Sequence, residues 1–162
     1  MTPTRSNSYF EVLTHERCVE LITTEEIGRI AWVADGRPTI VPVNYAWDGE
    51  AVVMRSDPGL KLTELCDTEV AFEIDRIDRG RKEGWSVVVR GVAHEVAVDE
   101  WPATALAPQE LYLEPWAPGG KLHWVRLVPR VITGRRISRI SDAEANPFWF
   151  LSTYSFPTHP RR

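Results

Sequence analysis

The stretch that decides the fold is IAWVADGRPTIVPVNYAWDGEAVVMR, residues 30–55. Its apolar-rich runs are separated by two Asp-Gly pairs, Asp35-Gly36 and Asp48-Gly49. An Asp-Gly pair between strand-like runs is a strong signal for a tight hairpin turn, because both residues tolerate a positive φ. The stretch therefore predicts a meander of three antiparallel strands. We place these strands at 30–34, 39–47 and 51–55.

Pro42 lies in the middle of the second predicted strand. Proline has no N–H to give to a sheet ladder, so it is confined to edges and to places where the ladder is interrupted. We expect the strand to be an edge or to lose a neighbour at this position.

The flanking segments extend the meander. Thr14 can cap a short helix with Cys18, Leu21 and Ile22 as its apolar stripe. Pro58 suits the first turn of a second short helix, and Gly91 inside a long strand predicts a bulge or a close backbone approach. The further predicted elements are helices at about 60–66 and 101–106, strands at 70–74, 85–98, 122–128 and 131–137, and a long loop at about 108–120.

These elements predict one domain over residues 1–162, dominated by an antiparallel barrel with its core at about 10–140. The C-terminal tail, 141–162, is rich in aromatic residues, including Phe148, Trp149 and Phe150. We expect it to dock, either on its own barrel or on a partner subunit.

Composition excludes several classes of function. The 19 basic and 23 acidic residues give a net charge of −4, whereas nucleic-acid binders usually carry a basic footprint. No run approaches the roughly 18 apolar residues of a membrane span, and Met1–Ser8 lacks the apolar core of a signal peptide. We therefore expect a cytoplasmic protein without nucleic-acid or membrane partners, whose two cysteines, Cys18 and Cys66, are reduced.

Several catalytic motifs are missing from the sequence. The four histidines are far apart and show no metal-ligand spacing. There is no G-x-S-x-G, G-x-G-x-x-G or P-loop motif. Neither a dedicated metal site nor a hydrolase, dinucleotide or triphosphate site of the motif-bearing kind is expected.

One segment has the character of a phosphate site: Arg55-Ser56-Asp57-Pro58-Gly59-Leu60-Lys61, which leaves a strand and enters a helix. Unpaired N–H groups at a helix start, with flanking cations and a hydroxyl, suit an anion. The alternative is an ordinary strand-to-helix turn with solvated Arg55 and Lys61 and with Asp57 as the cap. A carboxylate beside a phosphate would weaken such a site unless it points away.

The order of the motifs resembles the pyridoxamine 5′-phosphate oxidase-like family, the flavin-binding split barrels. The resemblance covers about residues 10–140. The segments that carry it are Gly28-Arg29-Ile30-Ala31, Pro42-Val43-Asn44-Tyr45, Met54-Arg55-Ser56-x-x-Gly59-x-Lys61, Phe72-Glu73-Ile74-Asp75, Gly84-Trp85-Ser86-Val87-Val88-Val89-x-Gly91-x-Ala93 and Arg126-Leu127-x-Pro129-x-x-Ile132-Thr133-Gly134-Arg135-Arg136.

The resemblance implies an α+β, mainly β fold: an antiparallel six- to seven-stranded split β-barrel of Greek-key type with two or three short helices. It also implies a homodimer with flavin mononucleotide (FMN) in clefts between the subunits. The implied cofactor-binding residues fall into three sets. Pro42, Val43 and Asn44 lie along the ring; Met54, Arg55, Ser56, Gly59 and Lys61 hold the phosphate; Trp85 and Ser86 come from the other subunit, with Trp124 and Arg126 as further candidates near the cofactor or substrate.

Four functions remain open from the sequence. The leading hypothesis is an FMN-dependent oxidoreductase acting on a small molecule, in which the cofactor carries the chemistry and no side chain is required as acid or base. The alternatives are a deazaflavin-dependent reductase of the same fold, a non-catalytic flavin carrier or sensor, and an interaction module without a cofactor. The residues that hold the vitamin substrate in true pyridoxamine phosphate oxidases are not recognisable, and fold kinship does not by itself establish that activity.

Overall fold

The computed structural model describes residues 8–139, except for the side chains of Leu60 and Lys61. This part of the chain forms seven strands and two short α-helices. The strands are β1 (Ser8–Leu13), β2 (Ile27–Ala34), β3 (Arg37–Trp47), β4 (Val52–Ser56), β5 (Thr68–Asp78), β6 (Glu83–Glu95) and β7 (His123–Arg139), and the helices are α1 (His15–Ile22) and α2 (Leu60–Leu65). The predicted tail, 141–162, lies outside the described residues.

The strands form one antiparallel sheet that closes on itself. Their order is β1-β7-β4-β3-β2-β5-β6, and β7 also pairs with β6. Strand β7 is long enough to pair with β4 near its start, where Val52 faces Leu127, and with β1 near its end, where Leu13 faces Gly134. The predicted mainly β, split-barrel fold is confirmed.

The two hairpin turns form as the sequence predicts. Asp35 and Gly36 both have positive φ, 51° and 71°, and they join β2 to β3 with Ala34 facing Arg37. In the second turn the Asp48 carboxylate accepts the backbone N–H of Ala51 at 2.7 Å. Positive φ in the first turn and the Asp48 carboxylate in the second allow two short connections in succession.

Strand β3 has β4 as a neighbour only at its C-terminal end. It pairs with β2 from Arg37 to Asn44, but within residues 8–139 its ladder with β4 covers only Tyr45–Trp47. Pro42 lies in the half without β4, so its missing N–H removes no ladder bond on that side. The predicted interruption at Pro42 is confirmed, and the barrel is open there.

The core consists of the inward-facing residues of every strand in the ring. Tyr45 is buried, donates its hydroxyl to the carbonyl oxygen of Ile22 at 2.6 Å, and packs edge-to-face on Phe72 with 4.8 Å between ring centres. Burial of each large apolar side chain contributes about 1.5–3 kcal/mol. The largest fully buried side chains are Phe72, Ile22, Ile30, Met54, Leu65, Ile74, Leu127, Val52, Val53, Val87, Val89 and Val125.

The predicted N-cap and apolar stripe of α1 are confirmed. The Thr14 hydroxyl accepts the N–H of Arg17 at 3.3 Å, and Cys18, Leu21 and Ile22 are buried. The helix lies close to β7, because a Cβ on Gly134 would stand 2.5 Å from the Cys18 sulfur.

Two predictions about the second half of the chain are wrong. The expected strands at 122–128 and 131–137 are one strand, because a register shift opposite Arg90 and Gly91 accommodates the region of Pro129 without ending the ladder. The segment 101–106 is not helical: Trp101 precedes Pro102 and is extended, with φ −65° and ψ 135°, as a residue before proline prefers. Short 3₁₀ turns form instead at Val98–Glu100 and Pro108–Glu110.

Gly91 stands at the register shift, and a Cβ there would lie 1.9 Å from the carbonyl oxygen of Val128. The predicted close backbone approach is thereby confirmed. Among the described residues there is no helix long and apolar enough to cross a bilayer.

Candidate functional site

A cleft opens where β3 and β4 separate. Its volume is about 360 Å³, within the range of roughly 300–1,000 Å³ that is common for small-molecule sites. One wall is β3, another is the turn from β4 to α2, and the third is the β6–β7 loop, residues 96–122. The lining residues are Pro42, Val43, Asn44, Arg55, Ser56, Asp57, Pro58, Gly59, Pro115, Ala117 and Lys121.

The backbone of β3 presents polar groups to this opening. Tyr45 donates its N–H to the carbonyl of Glu26 at 3.1 Å, so the odd-numbered residues of this stretch hydrogen-bond toward β2. Antiparallel ladders alternate, and Pro42 and Asn44 therefore direct their main-chain groups to the side from which β4 has diverged. An open strand edge can bond the edge of a planar heterocycle.

The β6–β7 loop closes over both sides of the cleft. Trp116 donates its backbone N–H to Oδ1 of Asn44 at 3.0 Å. Arg55 donates its Nε–H to the carbonyl of Lys121 at 2.7 Å. Long loops that hold such contacts are commonly functional. The part played by Trp116 and Lys121 was missed from the sequence, since the loop shows no periodicity that would predict its path.

Asp57 is held by the loop through its carboxylate. Its oxygens accept the backbone N–H of Lys121 at 2.8 Å and form an ion pair with the Lys121 ammonium group. These hydrogen bonds from the side chain and backbone of Lys121 hold the pKa of Asp57 below its ordinary value. The described lining thus has two cations, Arg55 and Lys121, against one carboxylate, which suits an anionic ligand.

The turn after β4 combines a cation, a hydroxyl and a glycine. Ser56 is buried and donates its hydroxyl to the carbonyl of Asp57 at 3.0 Å. Gly59 has φ 142°, a conformation that favours glycine, and a Cβ there would meet no atom within 4 Å. Six of the predicted cofactor-binding residues, Pro42, Val43, Asn44, Arg55, Ser56 and Gly59, therefore lie together in the cleft.

Three other predicted residues do not line the cleft. Met54 turns its side chain into the core, because it alternates with Arg55 along β4. Trp124 contacts Arg55 without lining the cleft itself, and the Arg55 guanidinium carbon is 5.0 Å from the centre of its indole. Arg126 is buried in an ion pair with Asp48. The Lys61 side chain lies outside the described residues.

Trp85 and Ser86 lie away from this cleft within one chain. Trp85 packs against the core and lines a separate cleft of about 190 Å³ with Arg76 and Arg136. Ser86 follows Trp85 in the strand and so faces the outside of the barrel, across from Asp75. Their contact with a ligand held by a second subunit remains a prediction.

The split barrel and its open cleft define the class of this chain, and comparison with known proteins defines its family. The family model described as pyridoxamine 5′-phosphate oxidase matches residues 14–136. The chain belongs to this pyridoxamine 5′-phosphate oxidase-like family, as the motif order predicted.

Several individual proteins are similar to this chain over most of their length. A structure of the FAD-binding protein from Mycobacterium smegmatis is 35% identical, with a TM-score of 0.67, and the match covers 78% of this chain and 98% of that one. A conserved protein of unknown function from Corynebacterium diphtheriae is 30% identical, with a TM-score of 0.64 and coverages of 81% and 98%. An uncharacterised protein of Mycobacterium tuberculosis is 30% identical over 131 residues, which are 77% of this chain and 84% of that protein.

Proposed function

We propose that this protein binds a flavin nucleotide in the cleft between β3 and the β6–β7 loop and works as a flavin-dependent oxidoreductase on a small molecule. The observation that carries the proposal is the pairing of an open strand edge at Pro42–Asn44 with the Arg55 cation in one cleft. A relative 35% identical over nearly its whole length is an FAD-binding protein.

The residues that line the cleft fit the two ends of a flavin nucleotide, its ring and its phosphate. Pro42 and Val43 offer an apolar surface to a planar ring, and the backbone groups at the edge of β3 suit the polar rim of that ring. Arg55 and Lys121 supply positive charge for the phosphate. When bound, the flavin supplies hydride or electron transfer, while these residues bind and orient it.

The finer proposal for the cofactor is FMN. FAD has the same ring and a first phosphate in the same place, so the same residues would hold that part of either molecule. A deazaflavin with additional acids would need more cations than Arg55 and Lys121 supply among the described lining residues. A non-catalytic flavin carrier would use the same cleft, with the β6–β7 loop shielding the ring from substrates.

We further propose a homodimer formed through the outer face of the barrel. An outward-facing row crosses five strands through Ile40, Ala31, Ala71, Arg90 and Val131. Ile40 and Val131 in this row are 63% and 42% exposed, beside a mostly apolar groove of about 500 Å³. Apolar surface of this kind is typical of interaction sites, and a second copy would bring a second Trp85 and Ser86 into the assembly.

The first experiment is the visible absorption spectrum of the purified protein, with the released chromophore identified by mass. A flavin spectrum with FMN or FAD released supports the proposal and chooses between the two cofactors. Protein that retains no flavin and binds neither FMN nor FAD on titration would overturn it. Turnover is then tested with a nicotinamide donor and small electron acceptors: flavin reduction without turnover of any acceptor favours the carrier.

A further inference from the structure

Asp48 and Arg126 form a buried ion pair beneath the β6–β7 loop. Asp48 is 1% exposed and Arg126 is 6% exposed, and Arg126 Nε donates to Asp48 Oδ2 at 2.6 Å. Neither residue lines the cleft. Removing two charges from water is costly, and such a pair is kept in some proteins because it selects one arrangement of the chain.

Loop residues 101–106 contact both members of the pair. The main-chain carbonyl of Asp48 accepts the N–H of Leu106 at 2.8 Å. Trp101 donates its indole N–H to the carbonyl of Leu106 at 3.0 Å. The Arg126 guanidinium carbon lies 5.4 Å from the Trp101 ring centre, a cation–π contact. The loop is therefore attached to the β3–β4 turn and to β7 together.

The same contacts continue to the cleft. Trp101 and Trp124 pack edge-to-face with 5.6 Å between ring centres, and Trp124 in turn contacts the Arg55 guanidinium. Arg55 also bonds the carbonyl of Lys121, at the other end of the same loop. A continuous set of contacts thus links the buried pair to the proposed phosphate-binding cation.

We propose that Asp48 and Arg126 are positioning residues that hold the β6–β7 loop against the cleft and, through Trp101 and Trp124, orient the Arg55 guanidinium for an anionic ligand. The orientation of Arg55 for a flavin phosphate rests on the proposed function, whereas the attachment of the loop is independent of it.

Loop attachment is measured by limited trypsin digestion of the full-length protein. Lys121 is the single lysine or arginine in residues 96–122, so cleavage after it reports opening of the loop. We expect Arg126→Met and Trp101→Leu to speed this cleavage by about five- to thirty-fold. Arg17→Met, which removes an exposed ion pair with Glu20 on α1, serves as the matched control and should leave the rate unchanged.

Two variants are needed because Arg126→Met leaves the buried Asp48 carboxylate without its partner and can prevent folding. Trp101→Leu keeps the Asp48–Arg126 pair and removes the Trp101 indole, the loop group that contacts Arg126. Folded Trp101→Leu protein that is cleaved after Lys121 at the wild-type rate would overturn the proposed attachment.

The orientation of Arg55 is measured by titration with FMN, followed by quenching of flavin fluorescence. We expect Trp101→Leu to weaken FMN binding by about five- to thirty-fold, and Arg126→Lys to retain more affinity than Arg126→Met. In an Arg55→Met background, Trp101→Leu should cause no further loss, because both changes act through one group. If wild type and Trp101→Leu bind FMN with equal affinity, the orienting role is overturned. If the wild type binds no flavin, the proposed function is overturned, and the attachment of the loop is then tested by trypsin digestion alone.

Discussion

The guanidinium carbon of Arg55 lies 5.0 Å from the centre of the Trp124 indole, and the two residues face each other across neighbouring strands, β4 and β7. Arg55 also donates its Nε–H to the Lys121 carbonyl. The side chain is therefore held on two sides before any ligand binds. A cation fixed in advance loses less conformational freedom on binding than a mobile one does.

Trp124→Leu tests this relationship directly. Removing the indole frees the Arg55 side chain and removes a cation–π contact worth about 0.5–2 kcal/mol. We expect flavin affinity to fall by about two- to thirty-fold, measured by fluorescence titration. Arg55→Met should weaken binding further, since it removes the charge itself. Wild-type affinity in Trp124→Leu would show that the indole has no part in holding Arg55.

The Asp57–Lys121 pair predicts that the stability of the fold depends on pH in the acid range. Since the pKa of Asp57 is lowered in the folded state, its stabilising effect is present above the unfolded value of about 3.9 and is lost as the pH falls through the folded pKa. Thermal unfolding should show wild type more stable than Asp57→Asn at about pH 6, with the difference shrinking as the pH falls below about 4. A difference in Tm that does not change with pH would contradict this interpretation.

The buried hydroxyl of Tyr45 predicts a loss of stability at alkaline pH. Burial raises the pKa of its hydroxyl well above the ordinary value, so its contribution is present below about pH 10 and is lost as the pH rises beyond it. Chemical denaturation should therefore show a loss of stability above about pH 10 that is smaller in Tyr45→Phe. Near neutral pH the Phe variant should be less stable by about 1–2 kcal/mol, because the Ile22 carbonyl loses its donor.

Gly28 is required by close packing in the barrel. A Cβ at this position would lie 2.1 Å from the Phe72 ring, so Gly28→Ala should destabilise the fold by about 1–3 kcal/mol in urea unfolding. The double variant Gly28→Ala/Phe72→Leu should recover part of that loss. Gly80→Ala, where the nearest atom is a side-chain oxygen at 3.3 Å, is the control. Equal effects of the two alanine variants would contradict the packing explanation.

The proposed dimer face predicts a change in oligomeric state. Ile40→Glu places a charge at the β3 end of the outward-facing row and should convert the dimer to a monomer, measured by light scattering after size-exclusion chromatography. Val98→Glu, at another exposed apolar position, is the matched control and should remain dimeric. A wild type that is monomeric would exclude the dimer.

Local patterns in the sequence determined much of the fold. The turn at Asp35-Gly36, the capped helix after Thr14 and the interruption at Pro42 all follow from the conformations that single residues allow. The order of motifs also placed Asn44 and Arg55 in one site. These features depend on residues near in sequence, or on an order of motifs that resembles a known family.

Only the tertiary structure decided how the cleft is closed. Trp116 in the β6–β7 loop reaches Asn44, although this loop has no hydrophobic periodicity that would predict its path. Arg126 in β7 reaches Asp48 in the β3–β4 turn across a long separation in sequence. The sequence likewise could not show that Asp57 turns to Lys121, nor that the region of Pro129 continues a strand. Each of these outcomes depends on which distant groups meet when the barrel closes, because the energy of a polar contact or a bulge is set by its partner and not by the residue alone.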